Sequence, residues 1–210
     1  MSQEQADLAA DLSDLEQYRI KIPPSAYRSS STSDNARGGG FFYIPNFVTA
    51  QEESYLLSKI QTAAQPKWKS LANRRLQYWG GQVSSKNTLI PEPLPEFMTR
   101  FPPLVQRIRE TGAFQGSAHG EPNHCLVNEY KVGQGIMPHE DGDAYFHAVA
   151  TVSLASHTLL DIYRWVEEEQ GDGTMEARTT SKVKAREQDP IFSILQEPRS
   201  LLVTVGDAYT

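Results

Sequence analysis

A histidine and an aspartate two positions apart, His139 and Asp141, are the residues of this chain best suited to chemistry. In an extended segment the side chains of residues i and i+2 project to the same side, so the imidazole and the carboxylate can face one target. Such a pair can supply two ligands of a facial triad of two histidines and one carboxylate, which holds Fe(II) and leaves positions open. The spacing therefore indicates an iron site. A polar surface turn is the alternative, because a His-x-Asp match alone is weak evidence.

A second pair of polar side chains, Asn128 and Tyr130, lies upstream in a β-rich run at residues 124–130. Strand alternation places both side chains on one face. An amide and a phenol side by side can hydrogen-bond to the oxygens of a small dicarboxylate. We expect the two residues to bind such a ligand, and the alternative is a strand aromatic beside an edge residue.

Cations and aromatic rings are interleaved between residues 67 and 79. Arg74, Arg75, Tyr78 and Trp79 combine guanidinium groups, which bind phosphates, with rings that stack on an unpaired base. This predicts that the four residues form a substrate-binding surface for nucleic acid. A core-lining tryptophan and tyrosine beside a solvated basic turn would explain the same pattern, and the sequence does not separate the two interpretations.

These residues must be positioned mainly by strands, because the second half of the chain consists of short β-rich runs joined by turns. The runs lie at residues 124–130, 148–155, 158–165, 192–196 and 201–205. Helices precede them: a Thr-x-x-Glu capping box at Thr49 opens one, and a second lies near 95–111, broken at Pro102 and Pro103. We expect an α+β fold, a double-stranded β-helix or jelly roll with N-terminal helices packed on it.

The 210 residues are expected to form one globular domain with an N-terminal extension. The domain covers residues 41–210 and includes an exposed loop at 166–188, where acidic and then basic residues show no apolar period. Residues 1–40 are expected to form a flexible region that could carry a short helix and that ends in a Ser/Gly-rich loop.

The composition restricts the partners and the compartment. A net charge of -6 argues against a large nonspecific nucleic-acid footprint, although a local basic patch is compatible with it. The single cysteine, Cys125, excludes an intramolecular disulfide and indicates a reducing compartment. No apolar run reaches the ~20 residues of a membrane span, and the N-terminus lacks the pattern of a signal peptide. We therefore expect a soluble protein of the cytoplasm and nucleus without a membrane partner.

Together these segments resemble a known family. Asn128-x-Tyr130, a glycine-containing turn and His139-x-Asp141 are similar to the corresponding motifs of the AlkB-like Fe(II)/2-oxoglutarate dioxygenases. Four other segments agree with the family: residues 45–47, 76–81, 156–161 and 197–203. The resemblance covers residues 41–210 apart from the exposed loop.

The resemblance implies that His139 and Asp141 ligate Fe(II) and that Asn128 and Tyr130 contact the co-substrate 2-oxoglutarate. It also implies O2 as a co-substrate, and a reaction that couples conversion of 2-oxoglutarate to succinate with hydroxylation of a C–H bond. An N-methyl group that is hydroxylated leaves as formaldehyde. The implied activity is therefore demethylation or dealkylation of a nucleic-acid base or of a protein side chain, with RNA, DNA or a protein as the partner.

The chain departs from the family's pattern at its C-terminal end. In the family the second histidine ligand and the arginines that pair with 2-oxoglutarate follow the segment corresponding to residues 206–210, and this sequence contains neither. Four other histidines do not fit the missing ligand by position: His119, His124, His147 and His157. The resemblance implies that C-terminal strands are missing and that turnover is impaired. The alternative is a noncatalytic nucleic-acid- or protein-binding module derived from the family.

Overall fold

The structure is a computed structural model that describes residues 13–22, 39–84, 88–142, 145–166 and 185–208. The strands of the described residues are β1 (Gly40–Ile44), β2 (Lys69–Leu71), β3 (Arg74–Trp79), β4 (Gly81–Val83), β5 (Leu89–Pro91), β6 (Cys125–Glu129), β7 (Ala148–Val152), β8 (Thr158–Ile162), β9 (Trp165–Val166), β10 (Ala185–Arg186), β11 (Phe192–Gln196) and β12 (Leu201–Val205). The α-helices are α1 (Ala50–Gln61), α2 (Glu96–Thr99) and α3 (Leu104–Arg109), and 3-10 helices lie at Ser13–Tyr18, Gln65–Lys67 and Gly206–Ala208.

The strands of the described residues pair antiparallel. Strand β12 lies between β1 and β7 in one three-stranded sheet, and β3 lies between β2 and β6 in another. Two-stranded ribbons are formed by β8 with β11, β4 with β5, and β9 with β10. This mostly antiparallel architecture with few helices is consistent with the jelly roll expected from the short β-rich runs.

Strand β12 is buried on both faces, which explains how two layers of strands pack together. Val203 contributes to an apolar cluster with Phe42 on one face. Leu202, which alternates to the other face, packs with Phe41 and Ile194. Because Ile194 belongs to β11, the ribbon of β8 and β11 covers the second face of the β1–β12–β7 sheet.

Helix α1 begins at the predicted capping box. The Thr49 hydroxyl accepts a hydrogen bond from the Glu52 backbone N–H at 3.2 Å, and the Glu52 carboxylate accepts one from the Thr49 N–H at 2.8 Å. These bonds satisfy backbone donors that the first helical turn leaves unpaired. Leu56 and Ile60 then bury one side of the helix in a second apolar cluster.

The predicted elements agree with the structure in type and position. Strands β11 and β12 have the predicted bounds, and β6, β7 and β8 lie inside the predicted runs. The helix expected near 95–111 forms as α2 and α3, separated at Pro102 and Pro103, which have no N–H to continue a helix. Among the described residues, no helix is both long and apolar enough to cross a membrane.

The described part of the N-terminal region packs on β1. Leu15, in the 3-10 helix, is 2% exposed and joins the cluster of Phe42. Arg19 forms a β-bridge with Phe42, and its guanidinium lies 4.6 Å from the ring centroid. The predicted Ser/Gly-rich loop falls almost entirely outside the described residues. So does most of the predicted exposed loop, whose ends pair as β9 and β10.

Candidate active site

The sheet of β2, β3 and β6 carries most of the predicted site residues. In the register of β3 with β6, Leu76 lies opposite Asn128 and Tyr78 lies opposite Leu126. Directly opposed residues of an antiparallel pair share a face, and residues two apart on one strand do so as well. Arg74, Leu76, Tyr78, Leu126 and Asn128 therefore lie on one face of the sheet, which we call the site face.

Arg75 lies on the opposite face, where it has partners within the protein. Its Nε and Nη2 donate to the two carboxylate oxygens of Glu129 at 2.6 and 2.7 Å. The hydrogen bond and charge of Arg75 lower the pKa of Glu129 below its usual value. The guanidinium also lies 4.0 Å from the ring centroid of Trp68. Arg75 thus ties β3 to β6 and to the chain before β2.

Gln77 and Trp79 share this opposite face. Gln77 is fully buried, its Nε2 donates to the carbonyl of Ile60 at 2.9 Å, and its Oε1 accepts from the Trp79 Nε1–H at 3.0 Å. The Trp79 ring packs edge-on against Phe97 at 5.3 Å. Of the four residues predicted to bind substrate, the structure brings only Arg74 and Tyr78 to the site face.

One end of the site face holds Arg74, Asn128 and Tyr130, which follows β6 in sequence. Burial raises the pKa of Tyr130 and the nearby charge of Arg74 acts in the opposite direction, so the phenol keeps its proton at neutral pH. Arg74 Nε and Asn128 Oδ1 are buried and have no hydrogen-bond partner among the described residues. Because buried polar atoms are normally paired, these two atoms indicate a place for a polar ligand.

The pair of His139 and Asp141 lies in an irregular segment after β6, not on a strand end as the spacing predicts. His139 Nδ1 is 2.8 Å from the carbonyl oxygen of Met137, and it must donate because a carbonyl can only accept. His139 Nε2 lies 3.6 Å from Asp141 Oδ1, and the two side chains are 50% and 43% exposed. The Met137 carbonyl therefore orients the His139 ring, and the His139 and Asp141 side chains lie close together in the loop.

The donor types of this pair suit Fe(II). A metal-ligating histidine commonly donates its second ring N–H to a backbone carbonyl, as His139 does to Met137. The Asp141 carboxylate is the other donor that a facial triad requires. Within the described residues, no third His, Cys, Asp or Glu joins the pair in a metal-binding group. The pair fits two positions of a triad, and the described part of the chain supplies no third.

His124, which the sequence does not favour as the missing metal ligand, lies between two tyrosines. Its ring centroid is 6.3 Å from that of Tyr78 and 5.8 Å from that of Tyr145. Burial lowers the pKa of His124. The pKa of Tyr145 is raised by burial first and then by the charge of Asp141, so this aromatic group adjoins the His139–Asp141 pair. His124 lies four residues before Asn128, so strand alternation predicts that both side chains share a face. This alternation is the sequence signal that could have placed His124 at the site.

Comparison with known proteins identifies the family of this chain. The sequence model of the 2OG-Fe(II) oxygenase superfamily matches residues 40–208. A zebrafish (Danio rerio) protein named "Probable RNA/DNA demethylase ALKBH6" is 38% identical over 205 residues, which are 97% of this chain and 74% of the relative. An Arabidopsis thaliana protein named "Alkylated DNA repair protein ALKBH8 homolog" is 31% identical over 174 residues, which cover 80% of this chain and 48% of that protein.

A Macaca fascicularis protein named "tRNA (carboxymethyluridine(34)-5-O)-methyltransferase ALKBH8" is 26% identical over 129 residues, which cover 58% of this chain and 19% of that protein. The chain thus spans less than half of the Arabidopsis and macaque relatives. Membership of the family implies Fe(II), 2-oxoglutarate and O2. The predicted resemblance to the AlkB-like family, and to its sixth eukaryotic homologue, is confirmed. This chain belongs to the 2OG-Fe(II) oxygenase superfamily, as an AlkB-like Fe(II)/2-oxoglutarate-dependent dioxygenase.

Proposed function

We propose that this chain removes a methyl or other alkyl group by oxidation from a base of RNA or DNA. The names of the zebrafish and macaque relatives refer to RNA/DNA and to tRNA, which supports a nucleic-acid substrate over a protein side chain. When bound, Fe(II) with 2-oxoglutarate and O2 supplies the oxidising chemistry that hydroxylates a C–H bond and yields succinate and carbon dioxide. A hydroxylated N-methyl group then leaves as formaldehyde.

The geometry of His139 and Asp141 carries the proposal. A neutral imidazole that is protonated at Nδ1 presents a lone pair at Nε2. This atom lies 3.6 Å from a carboxylate oxygen, which is close enough for one cation to bind both atoms. We assign His139 Nε2 and the Asp141 carboxylate as ligands of Fe(II).

The co-substrate is assigned to the end of the site face that holds Asn128 and Tyr130. The carboxylates of 2-oxoglutarate are acceptors, and the phenol O–H and the Arg74 guanidinium are donors; the Asn128 amide donates to the ligand when it turns its N–H toward the place of its unpaired Oδ1. Arg74 lies beside Tyr130, so we assign its guanidinium to 2-oxoglutarate rather than to a substrate phosphate. A charge-assisted bond of this kind is roughly twice as strong as a neutral one. Tyr78 is retained for the substrate.

Titration with Co(II), followed by visible absorption, tests the metal ligands without turnover. We expect the 210-residue chain to bind Co(II), and His139→Ala and Asp141→Ala to weaken binding by more than about tenfold. His157→Ala is the matched control, because His157 is exposed in the turn before β8. An unchanged Co(II) affinity in His139→Ala would reject the assigned ligands.

Turnover of this chain is proposed to be weak, because its described residues supply two of three ligands. An excess of free imidazole can occupy the third position, so we expect it to raise succinate formation in the presence of Fe(II). Asp141→Ala should show no such rise. Succinate formation that is independent of imidazole would contradict the proposed impairment. Within the described residues β6 pairs with β3 alone, and we propose that its other edge is where the jelly roll of this chain is incomplete.

A noncatalytic nucleic-acid- or protein-binding module is the second candidate. It is favoured by the absence of a three-donor metal group from the described residues. It predicts salt-sensitive binding of single-stranded RNA without succinate formation, even when imidazole is added. Succinate formation that requires His139 would exclude it.

The cytoplasm and the nucleus are proposed as the location of the protein. The reducing compartment indicated by the single Cys125 supports this proposal. Fluorescence microscopy of the tagged chain tests it, and a signal confined to another compartment would contradict it.

A further inference from the structure

The site face has two chemically different ends. Arg74 and Tyr78 are four residues apart on β3, which corresponds to ~13 Å at ~3.3 Å per strand residue. The Arg74 end is polar and is assigned above to 2-oxoglutarate. The other end consists of Tyr78, His124 and Tyr145, and the nearby Asp141 charge shows that it adjoins the metal pair. No role has been assigned to His124 or Tyr145 so far.

The imidazole of His124 is incompletely paired. Its Nε2 is buried and has no hydrogen-bond partner among the described residues. Gly80, at the end of β3, approaches the backbone beside it so closely that a Cβ there would lie 2.2 Å from the carbonyl oxygen of Asn123 and 3.0 Å from His124 Cα. Any larger residue at position 80 would clash with this backbone, so glycine is required there. Gly80 therefore supplies no side-chain partner to the His124 imidazole.

A ligand that is a planar nitrogen heterocycle, such as a nucleic-acid base, can interact with all three side chains at this end of the site face. Burial lowers the pKa of His124, so the imidazole is uncharged at neutral pH and carries one donor and one acceptor nitrogen. Tyr78 and Tyr145 provide ring faces on which a base can stack. An aliphatic side chain of a protein would leave Nε2 unpaired, which costs free energy in a buried position.

We propose that His124 is a specificity-determining residue, whose Nε2 hydrogen-bonds to the edge of an unpaired nucleic-acid base that lies against Tyr78 and Tyr145. This inference rests on the proposed function and names the group that selects the substrate. The base is thereby placed next to the His139–Asp141 pair, at the end of the face that lies away from 2-oxoglutarate.

Two eight-nucleotide single strands test the proposal: one carries a single central adenine among abasic residues, and the other is wholly abasic. Their phosphates are identical, so the ratio of their dissociation constants reports the base alone. Fluorescence anisotropy with the full chain, without iron or 2-oxoglutarate, should give a ratio of about fivefold or more. His124→Leu should reduce this ratio by about fivefold to tenfold. His124→Gln, which keeps a donor and an acceptor, should retain part of the preference.

His119→Leu is the matched control, since His119 lines a separate cavity with Glu92 and Glu121. It should leave the ratio unchanged. A wild-type ratio near one, or an undiminished ratio in His124→Leu, would overturn the proposal. So would equal losses in His124→Gln and His124→Leu, which would indicate a merely structural role. Binding of a methyl-lysine peptide that requires His124, without a base preference, would favour a protein substrate and also overturn it. If Co(II) still binds at His139 when the base preference is absent, this inference fails and the proposed function stands.

Discussion

Two adjacent arginines allow a direct test of how β3 divides its two faces. Replacement of Arg75 by alanine removes both hydrogen bonds to Glu129 and the contact with Trp68. The side chains of the ion pair are 38% and 35% exposed, so solvent screening reduces its contribution to about 0.5–1 kcal/mol. The guanidinium–indole contact contributes about 0.5–1 kcal/mol more. We expect Arg75→Ala to lower the free energy of unfolding by about 1.5 kcal/mol.

Arg74→Ala is the matched variant, because it is the same substitution one position earlier on the site face. Arg74 Nε has no partner among the described residues, so we expect the free energy of unfolding to change by less than about 0.5 kcal/mol. The dissociation constant of 2-oxoglutarate, measured by calorimetry with Mn(II) present, should instead rise about tenfold or more. Arg75→Ala should leave this constant within about twofold of the wild-type value, because its side chain lies on the other face.

Urea denaturation followed by far-ultraviolet circular dichroism gives the free energies of unfolding, and unchanged m-values validate the comparison. Arg75→Lys should fall between wild type and Arg75→Ala, because lysine keeps the charge but loses the two-pronged geometry. If Arg75→Ala is as stable as wild type but binds 2-oxoglutarate weakly, the assignment of the two faces is refuted.

Three further predictions concern the support of the site. Gln77→Leu removes one of the hydrogen bonds to the Ile60 carbonyl and leaves the partly buried Trp79 N–H unpaired, and should cost about 1–3 kcal/mol in urea denaturation, whereas exposed Gln106→Leu should cost less than about 0.5 kcal/mol. Arg75 lowers the pKa of Glu129 in the folded chain, so the ion pair of these two residues stabilises the fold. This stabilisation is fully present above the ordinary glutamate pKa of 4.5 and is lost as the pH falls through the lowered pKa of Glu129. The stability difference between wild type and Glu129→Gln should therefore shrink in acid, and a constant difference would contradict this. Burial raises the pKa of Cys125 to about 12, so a thiol reagent should label this half-buried cysteine much more slowly in the native chain than after denaturation, and equal labelling rates would contradict the raised pKa.

Local sequence rules were sufficient for helix α1 and for strands β6, β7, β8, β11 and β12, but they did not predict strands β2 to β5. The bounds of β11 and β12 follow from β-branched and apolar residues between turn signals, and the capping box at Thr49 is a contact over three residues. The proximity of His139 and Asp141 could also be predicted from sequence, because two side chains at this spacing can meet in an extended strand or a loop. These features depend on residues close together in the chain.

The faces of β3 could not be assigned from sequence, because both carry an arginine and an aromatic ring. Only the partner decides: Glu129, which holds Arg75, lies 54 residues away along the chain. The buried hydrogen bonds of Gln77 were not predicted for the same reason: the side chain donates to the carbonyl of Ile60 in helix α1, which is distant in sequence. A binding role for His124 could not be predicted from sequence, because both its buried, unpaired Nε2 and its contact with Tyr78 arise only in the folded chain.

The register of β3 against β6 links the two faces energetically. A shift of one residue would carry Arg75 to the site face and turn Arg74 toward the helix, because strand side chains repeat with a period of two. On the site face, Arg74 Nε and Asn128 Oδ1 have no hydrogen-bond partner among the described residues, so these two atoms do not stabilise the register. The opposite face anchors β3 to helix α1, because Gln77 is bonded to the carbonyl of Ile60, and this anchor remains in Arg75→Ala. Loss of the Gln77 amide should therefore weaken 2-oxoglutarate binding as well as stability, although this side chain does not reach the site face.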